Sequence, residues 1–225
     1  MTSPIGIEQS ALRTPRSAAF AGMIFALLTL ASLVTVHFAL PHVPADSADL
    51  LTTSPQRDLL LIGLSLIPFA AVAFLWFVGV VRDRIGDRED RFFSTVFLGS
   101  GLLFVAVLLV GEAVTAGMVM NLKPSDAAIA AVAPDWGAAT RNISTELLEA
   151  ALQMAGVFTT ATATLLWRTR AAPRWLTLSG TVLSVLLLFA LYLTQWIGLL
   201  FPAWIFALSL YILIVARRDP DRSMI

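Results

Sequence analysis

Cysteine is absent from the 225 residues, histidine occurs twice, and lysine occurs once among fifteen basic residues. Without thiols the chain can form no disulfide, no thiolate metal site and no cysteine nucleophile. Charged residues make up 13% of the chain, against roughly 25% in soluble domains. No arginine cluster is both free of neighbouring acids and remote from an apolar run, so nucleic-acid binding has no support. No polar segment is long enough to be a separate soluble domain.

Long apolar runs dominate instead, and 58% of the residues are hydrophobic. The longest run, Phe92 to Met120, carries a single acid, Glu112. It is too long and too poor in charge for an ordinary core helix and indicates a membrane span. We therefore predict an all-α, polytopic membrane bundle of six transmembrane helices, with a leader at 1–17 and a tail at 217–225. The predicted spans are 18–40, 58–81, 92–120, 143–167, 175–195 and 197–216.

The first apolar run is longer than the core of a signal peptide, which favours an uncleaved span. The small residues around Ala45–Ala48 keep cleavage as the alternative. Ser54 followed by Pro55 predicts a helix start, because a hydroxyl can cap the helix and proline suits its first position. Pro68 predicts a kink inside the second span, since it lacks an N–H and its ring disrupts the helix.

Boundaries of the later spans follow from polar and aromatic residues. An alanine-rich connection from residue 121 to about 134 leads to a fourth helix that we expect to begin at Asp135 or Asn142. A tight turn near 196–202 is expected between the last two spans. The tryptophans at predicted boundaries fit an interfacial aromatic belt; they are Trp167, Trp175, Trp196 and Trp204.

Basic residues are concentrated on one side of this six-span arrangement. Twelve lie in the leader, the second and fourth loops and the tail, and the other three are Arg57, Lys123 and Arg141 in outer segments. Basic loops stay in the cytoplasm because they resist translocation. Both termini are therefore expected in the cytoplasm, and the protein is expected to be a multi-pass protein of the cytoplasmic (inner) membrane of a bacterium.

Reporter fusions test this orientation. Fusions at residues 45–50, 130 and 198 are expected to report an external location, and fusions at 87, 171 and 222 a cytoplasmic one, because the basic loops are retained inside. Alkaline phosphatase and green fluorescent protein activities in whole cells measure the two locations. An external signal at 171 or 222 would contradict the six-span topology.

Ionisable groups inside apolar spans are the candidates for a functional site, because burying charge in lipid is expensive. His37, Glu112, Glu149 and Gln195 each lie 19 or 20 residues from the predicted cytoplasmic edge of their spans. At 1.5 Å per residue this is about 28–30 Å, roughly the hydrocarbon thickness. With Glu146 and Gln153 they form a candidate outer polar cluster, in which Glu112 and Glu149 are expected to face each other and share a proton. The predicted midplane holds only serine, threonine and glycine as polar or small residues.

The fourth span carries a polar stripe at helical spacing. The stripe comprises Asn142, Glu146, Glu149, Gln153, Gly156, Thr160 and Thr164. It is expected to act as contact surface between helices, or alternatively to line a ligand pocket. A metal site built from His37, Glu112 and Glu149 is a lesser alternative without recognisable spacing. No cofactor is expected, since no phosphate loop, nucleotide motif or haem-type histidine pair occurs.

Two basic loops face the predicted cytoplasm. In the first, four arginines alternate with four acids, which marks it as a topology signal; they are Arg82, Arg84, Arg88 and Arg91. In the second, Arg168, Arg170 and Arg174 have no acidic neighbours. These three could contact lipid headgroups, although membrane insertion alone explains them equally well.

The overall layout, with Ala-Ala-Pro-Arg-Trp-Leu at 171–176 and Pro-Ala-Trp at 202–204, resembles a family of bacterial six-span membrane proteins of unknown function. The resemblance implies the fold and no activity. The sequence favours a non-enzymatic structural, regulatory or partner-binding membrane component, acting through a membrane-protein partner or as a homo-oligomer. A small-solute carrier or channel with an outer pocket, and an outer-face enzyme, are the alternatives; absence of a midplane charge disfavours the first of these.

Overall fold

A computed structural model describes residues 15–39, 54–85, 91–121, 127–170, 172–189 and 195–218. Every regular element in these ranges is helical, which confirms the predicted all-α class. The helices are α1 (Pro15–Ala39), α2 (Ser54–Ser65), α3 (Ile67–Ile85), α4 (Arg91–Asn121), α5 (Ala127–Thr169), α6 (Arg174–Phe189) and α7 (Leu200–Arg218), with a 3₁₀ helix at Gln195–Leu199 before α7.

Five of the described segments are long and apolar enough to cross a membrane. They are Ser17–Val36, Arg57–Arg82, Ser94–Gly117, Asn142–Thr169 and Trp196–Arg217. The fifth predicted span, 175–195, corresponds to α6, whose 16 described residues are apolar but fewer than the usual ~20 of a spanning helix. A multi-pass membrane protein follows from these helices.

The helices pack as two connected groups. α1 contacts α2, α3 and α7, while α4 pairs with α5 along their length and α5 pairs in turn with α6. Contacts of α4 with α3 and α2 join the two groups. α5 therefore lies between α4 and α6, and its span is the most buried of the five although it is the least apolar.

Phenylalanine rings fill the centre of the bundle. Phe74 on α3 lies 4.7 Å from Phe25 of α1, 5.1 Å from Phe104 of α4 and 5.1 Å from Phe158 of α5, measured between ring centroids. Phe201 of α7 completes the group at 5.2 Å from Phe104. All five rings are buried. The pairs of Phe104 with Phe74 and with Phe201 are edge-to-face, an arrangement that adds stability beyond the area it buries. Five helices are thus locked together at one level.

The second span is interrupted where Pro68 predicts a kink. α2 ends at Ser65 and α3 begins at Ile67, so the break falls at Leu66. Leu66 N–H donates to the Gly63 carbonyl at 3.3 Å, and α-helical bonding resumes with Ala70 N–H to the Leu66 carbonyl at 3.0 Å. Pro68 has no N–H to give the carbonyl four residues earlier. The start of α2 at Ser54 also agrees with the predicted cap.

The expected start of the fourth helix was wrong. α5 begins at Ala127 and continues through Pro134 and Asp135 as one helix of 43 residues. Five alanines between 127 and 133 have the highest helix propensity of any residue and form a stable turn ahead of the proline. The alanine-rich connection is therefore largely part of α5.

The last two spans also differ from expectation. Instead of a tight turn, residues 195–199 form the 3₁₀ helix and α7 begins at Leu200. Trp204 does not belong to the aromatic belt, since it is 6% exposed, whereas Trp167, Trp175 and Trp196 are more than half exposed. Trp204 Nε1 donates to the Leu176 carbonyl at 3.2 Å. A buried indole needs such an acceptor, and the bond ties α7 to the first turn of α6.

Candidate functional site

The predicted outer polar layer contains the contact between α4 and α5. Thr115 Oγ1 and Ser144 Oγ are 2.7 Å apart and form a hydrogen bond between the two helices. One turn earlier in α4, the Gly111 backbone lies against Leu147, where an added Cβ would be 3.4 Å from the leucine Cβ. The expectation that the third and fourth spans are neighbours is confirmed.

Glu112 and Glu149 are both half-buried in this layer. Leu147 and Ser144 mark the face of α5 that contacts α4. Glu149 follows Leu147 by two residues and so lies about 200° around the helix, away from α4. Gly156, on nearly the same face as Glu149, contacts Leu187 and Leu188 of α6.

The described contacts therefore do not bring the two carboxylates together. Glu112 lies beside the α4–α5 contact, while Glu149 lies on the α6 side of α5. The expected shared proton between them has no basis in this arrangement. Counting residues along each span gives an expected depth but no direction around the helix, and the common level of the two carboxylates stays a prediction.

The other members of the candidate cluster are Glu146, Gln153, His37 and Gln195. Glu146 and Gln153 are exposed on α5. His37 belongs to α1 and Gln195 opens the 3₁₀ helix, but their side chains lie outside the described ones. Among the described residues no three His, Asp or Glu side chains gather closely enough to hold a metal ion. A metal site that includes His37 stays a prediction.

The polar stripe of α5 divides between two environments. Gly156 is buried against α6, and Glu149 and Thr164 are half-buried. Four members are exposed; they are Asn142, Glu146, Gln153 and Thr160, and we call them the exposed polar stripe. The opposite side of α5 carries the buried Leu152, Phe158 and Leu165. This helix thus faces the protein with its apolar side and the surroundings with its polar side.

Hydroxyl groups at the predicted midplane are mostly satisfied by their own helices. Ser100 Oγ donates to the Val96 carbonyl at 2.6 Å, and Thr159 and Thr162 Oγ1 donate to the carbonyls four residues earlier at 2.7 and 2.8 Å. Thr160 Oγ1 does the same at 3.0 Å with the Gly156 carbonyl. These groups need no ligand to complete their hydrogen bonding.

Arg57 differs from its expected position in an outer loop. It lies in the first turn of α2, is half-buried, and donates from Nη2 to the Met120 carbonyl at 3.4 Å. Met120 is next to the last residue of α4, where carbonyls lack helical partners and the helix dipole attracts a cation. Arg57 therefore joins α2 to the end of α4, a role that its sequence position did not indicate.

The basic residues of the predicted cytoplasmic side are exposed where they are described. Arg82, Arg168, Arg170 and Arg174 have exposed side chains. Arg84 belongs to α3 and Arg91 to α4, with side chains outside the described ones, and Arg88 lies wholly outside them. In the second loop, between α5 and α6, Arg170 and Arg174 line a cleft.

In the described part of the chain, two groups of polar or charged side chains are candidates for binding: the exposed polar stripe of α5 and the arginine-lined cleft between α5 and α6. Neither contains a nucleophile aligned with a base. The resemblance to six-span proteins of unknown function remains an expectation. Comparison with protein-family models, with curated proteins and with solved structures found no match.

Proposed function

We propose that this protein is a non-enzymatic structural component of the cytoplasmic membrane that acts by associating with a second copy of itself through the exposed polar stripe of α5. The main support for this proposal is the position of Gln153 and Thr160 on the outside of the bundle, within an apolar span. A polar side chain facing lipid is unfavourable, and such residues normally contact another helix.

A second copy fits the residue types of the stripe. In a membrane dimer with its two-fold axis along the membrane normal, residues at equal depth meet their own copies. The amide of Gln153 is both donor and acceptor and can therefore pair with itself, while the hydroxyl of Thr160, which donates to the Gly156 carbonyl, can still accept a hydrogen bond. Glu146 would meet a like charge, but it lies 22 residues before Arg168, about 33 Å along the helix and therefore at the aqueous boundary.

The packed centre of the bundle favours this function over transport. The phenylalanine group of Phe25, Phe74, Phe104, Phe158 and Phe201 is buried where five helices of the bundle meet, whereas a carrier binds its substrate between its helices. Ring centroids 4.7 to 5.2 Å apart across five helices leave these side chains in direct contact. Opening a path there would separate rings that hold the helices together.

Single cysteines test the association directly, because the natural chain has none. Gln153→Cys and Thr160→Cys are expected to form disulfide-linked dimers when membranes are treated with copper phenanthroline, since each position faces its copy. Non-reducing gel electrophoresis measures the dimer. Val182→Cys on α6 is the matched control, being 60% exposed and eight residues from the start of its helix, as Thr160 is eight residues from Arg168.

A removal variant gives the second arm of this test. Gln153→Leu is expected to lower the dimer fraction in detergent, by roughly three- to twentyfold in association constant, the range for one interhelical hydrogen bond in a membrane. Crosslinking of Val182→Cys at the same rate as Gln153→Cys would indicate random collision. That result, or a monomer at all stripe positions, refutes self-association.

A further inference from the structure

A cleft of about 450 Å³ opens where α5 ends and α6 begins. Its lining combines two guanidinium-bearing residues, Arg170 and Arg174, with the indole of Trp167 and with Thr177. Both arginines and the tryptophan are exposed toward the surroundings. A site with two forked donors and an aromatic wall matches a tetrahedral oxyanion attached to an organic group.

The segment of chain that forms the cleft carries basic residues and no acidic ones. No aspartate or glutamate occurs from residue 150 to residue 218, whereas five arginines do. Acidic residues of this stretch therefore cannot neutralise Arg170 or Arg174. This separates the cleft from the charge-balanced loop at 82–91, in which each arginine has an acid close by in the sequence.

The backbone holds the two arginines in fixed positions. Arg170 has a φ of 51°, the left-handed conformation that ends a helix. Its N–H donates to the Trp167 carbonyl at 3.4 Å, which closes the end of α5. A residue with a Cβ is strained in this conformation by roughly 1 kcal/mol relative to glycine. The chain thus keeps arginine at a position where glycine would be conformationally easier.

The first turn of α6 is anchored on the other side of the cleft. Thr177 Oγ1 donates to the Arg174 carbonyl at 2.9 Å, and the Leu176 carbonyl accepts from buried Trp204 at 3.2 Å. The dipole of α6 adds positive potential at its N-terminus, next to Arg174. Arg174 therefore belongs to a helical turn that these two hydrogen bonds hold in place.

We infer that the α5–α6 cleft binds a phosphate group, held by the guanidinium groups of Arg170 and Arg174, with Trp167 against the organic substituent of a phosphate ester. The phosphate can belong to an anionic lipid headgroup or be free in solution. Trp167 and Trp175 are both more than half exposed beside the cleft, as residues at a membrane interface are. This site does not depend on self-association through α5.

The test uses the full chain purified in dodecyl maltoside, with the melting temperature followed against ligand concentration. The ligands are dioctanoyl phosphatidylglycerol, dioctanoyl phosphatidylcholine and inorganic phosphate. We expect phosphatidylglycerol to raise the Tm of the wild type, and Arg170→Gln or Arg174→Gln each to weaken its apparent dissociation constant roughly tenfold, the effect of losing one charge-assisted contact. Arg82→Gln, an exposed arginine outside the cleft, is the control and is expected to leave the constant unchanged.

The variants also separate binding from folding. Arg170→Gly relieves the backbone strain, so it is expected to fold at least as well as the wild type and still to lose the ligand shift. A shift with phosphatidylglycerol alone assigns a lipid headgroup, and a shift with inorganic phosphate as well assigns a free phosphate. Equal shifts in the wild type and in Arg170→Gly, equal shifts with phosphatidylcholine, or no shift in the wild type overturn the proposal.

Discussion

Phe74→Ala is expected to be among the most destabilising single substitutions in this protein, with a loss of about 3–5 kcal/mol in the free energy of unfolding. Phe74 is 0% exposed, and its ring contacts rings from α1, α4 and α5 at centroid distances of 4.7 to 5.1 Å. Truncation leaves a cavity at the one level where these helices meet. The surrounding rings belong to separate helices and cannot close the gap without moving backbone.

The matched control lies on the same helix. Phe69 is also in α3 but is 68% exposed on the outside of the bundle. Phe69→Ala removes the same atoms from a surface covered by lipid or detergent, so we expect a loss below about 1 kcal/mol. Titration of the purified protein from dodecyl maltoside into SDS, followed by circular dichroism, measures both values. Equal losses for the two variants would contradict the central position of Phe74.

Gly22→Ala is the second substitution with a large expected effect. At residue 22 of α1 an added Cβ would overlap Ser209 Oγ of α7 and lie 2.9 Å from Cδ2 of Phe77 on α3. Ser209 and Phe77 are both 0% exposed, so neither has open space into which to move. We expect α1 to shift away from α7, at a cost of about 1–3 kcal/mol for overpacking.

The same measurement has an internal control and a rescue. Gly79→Ala adds a methyl group where nothing lies within 4 Å, and it is expected to be neutral or stabilising because alanine favours helix more than glycine. Ser209 Oγ has no hydrogen-bond partner among the described residues, so Ser209→Ala alone should cost little. The double variant Gly22→Ala/Ser209→Ala should recover part of the loss, and strict additivity would refute the proposed overlap.

The sequence gives an expected depth for each residue of the candidate site but not its direction around the helix. Counting residues from the span edges placed Glu112 and Glu149 at one depth, because the rise per residue of a helix is constant. Their directions around the helix depend on which faces of α4 and α5 pack against other helices. The Thr115–Ser144 and Gly111–Leu147 contacts show which faces of α4 and α5 meet, and Glu149 lies on another side of α5.

The composition of the membrane spans also does not indicate which of their side chains are buried in the protein. In a soluble helix, polar residues mark the side facing water, whereas lipid and protein core are both apolar. Phe69 and Phe74 are therefore equivalent in the sequence, although one is exposed and the other buried. Only α5 has a clear polar side, and its exposure on the outside of the bundle was not predictable from the stripe itself.

Sequence by itself determined the helical class, the approximate positions of the apolar segments and the break at Leu66 near Pro68, because length, hydropathy and proline geometry act locally along the chain. Tertiary structure decided which side of each helix is buried, the role of Arg57 at the end of α4, the burial of Trp204, and the joint cleft of Arg170 and Arg174. These features depend on contacts between residues far apart in the chain. Where both the lipid and the interior are apolar, hydropathy cannot distinguish one such packing from another.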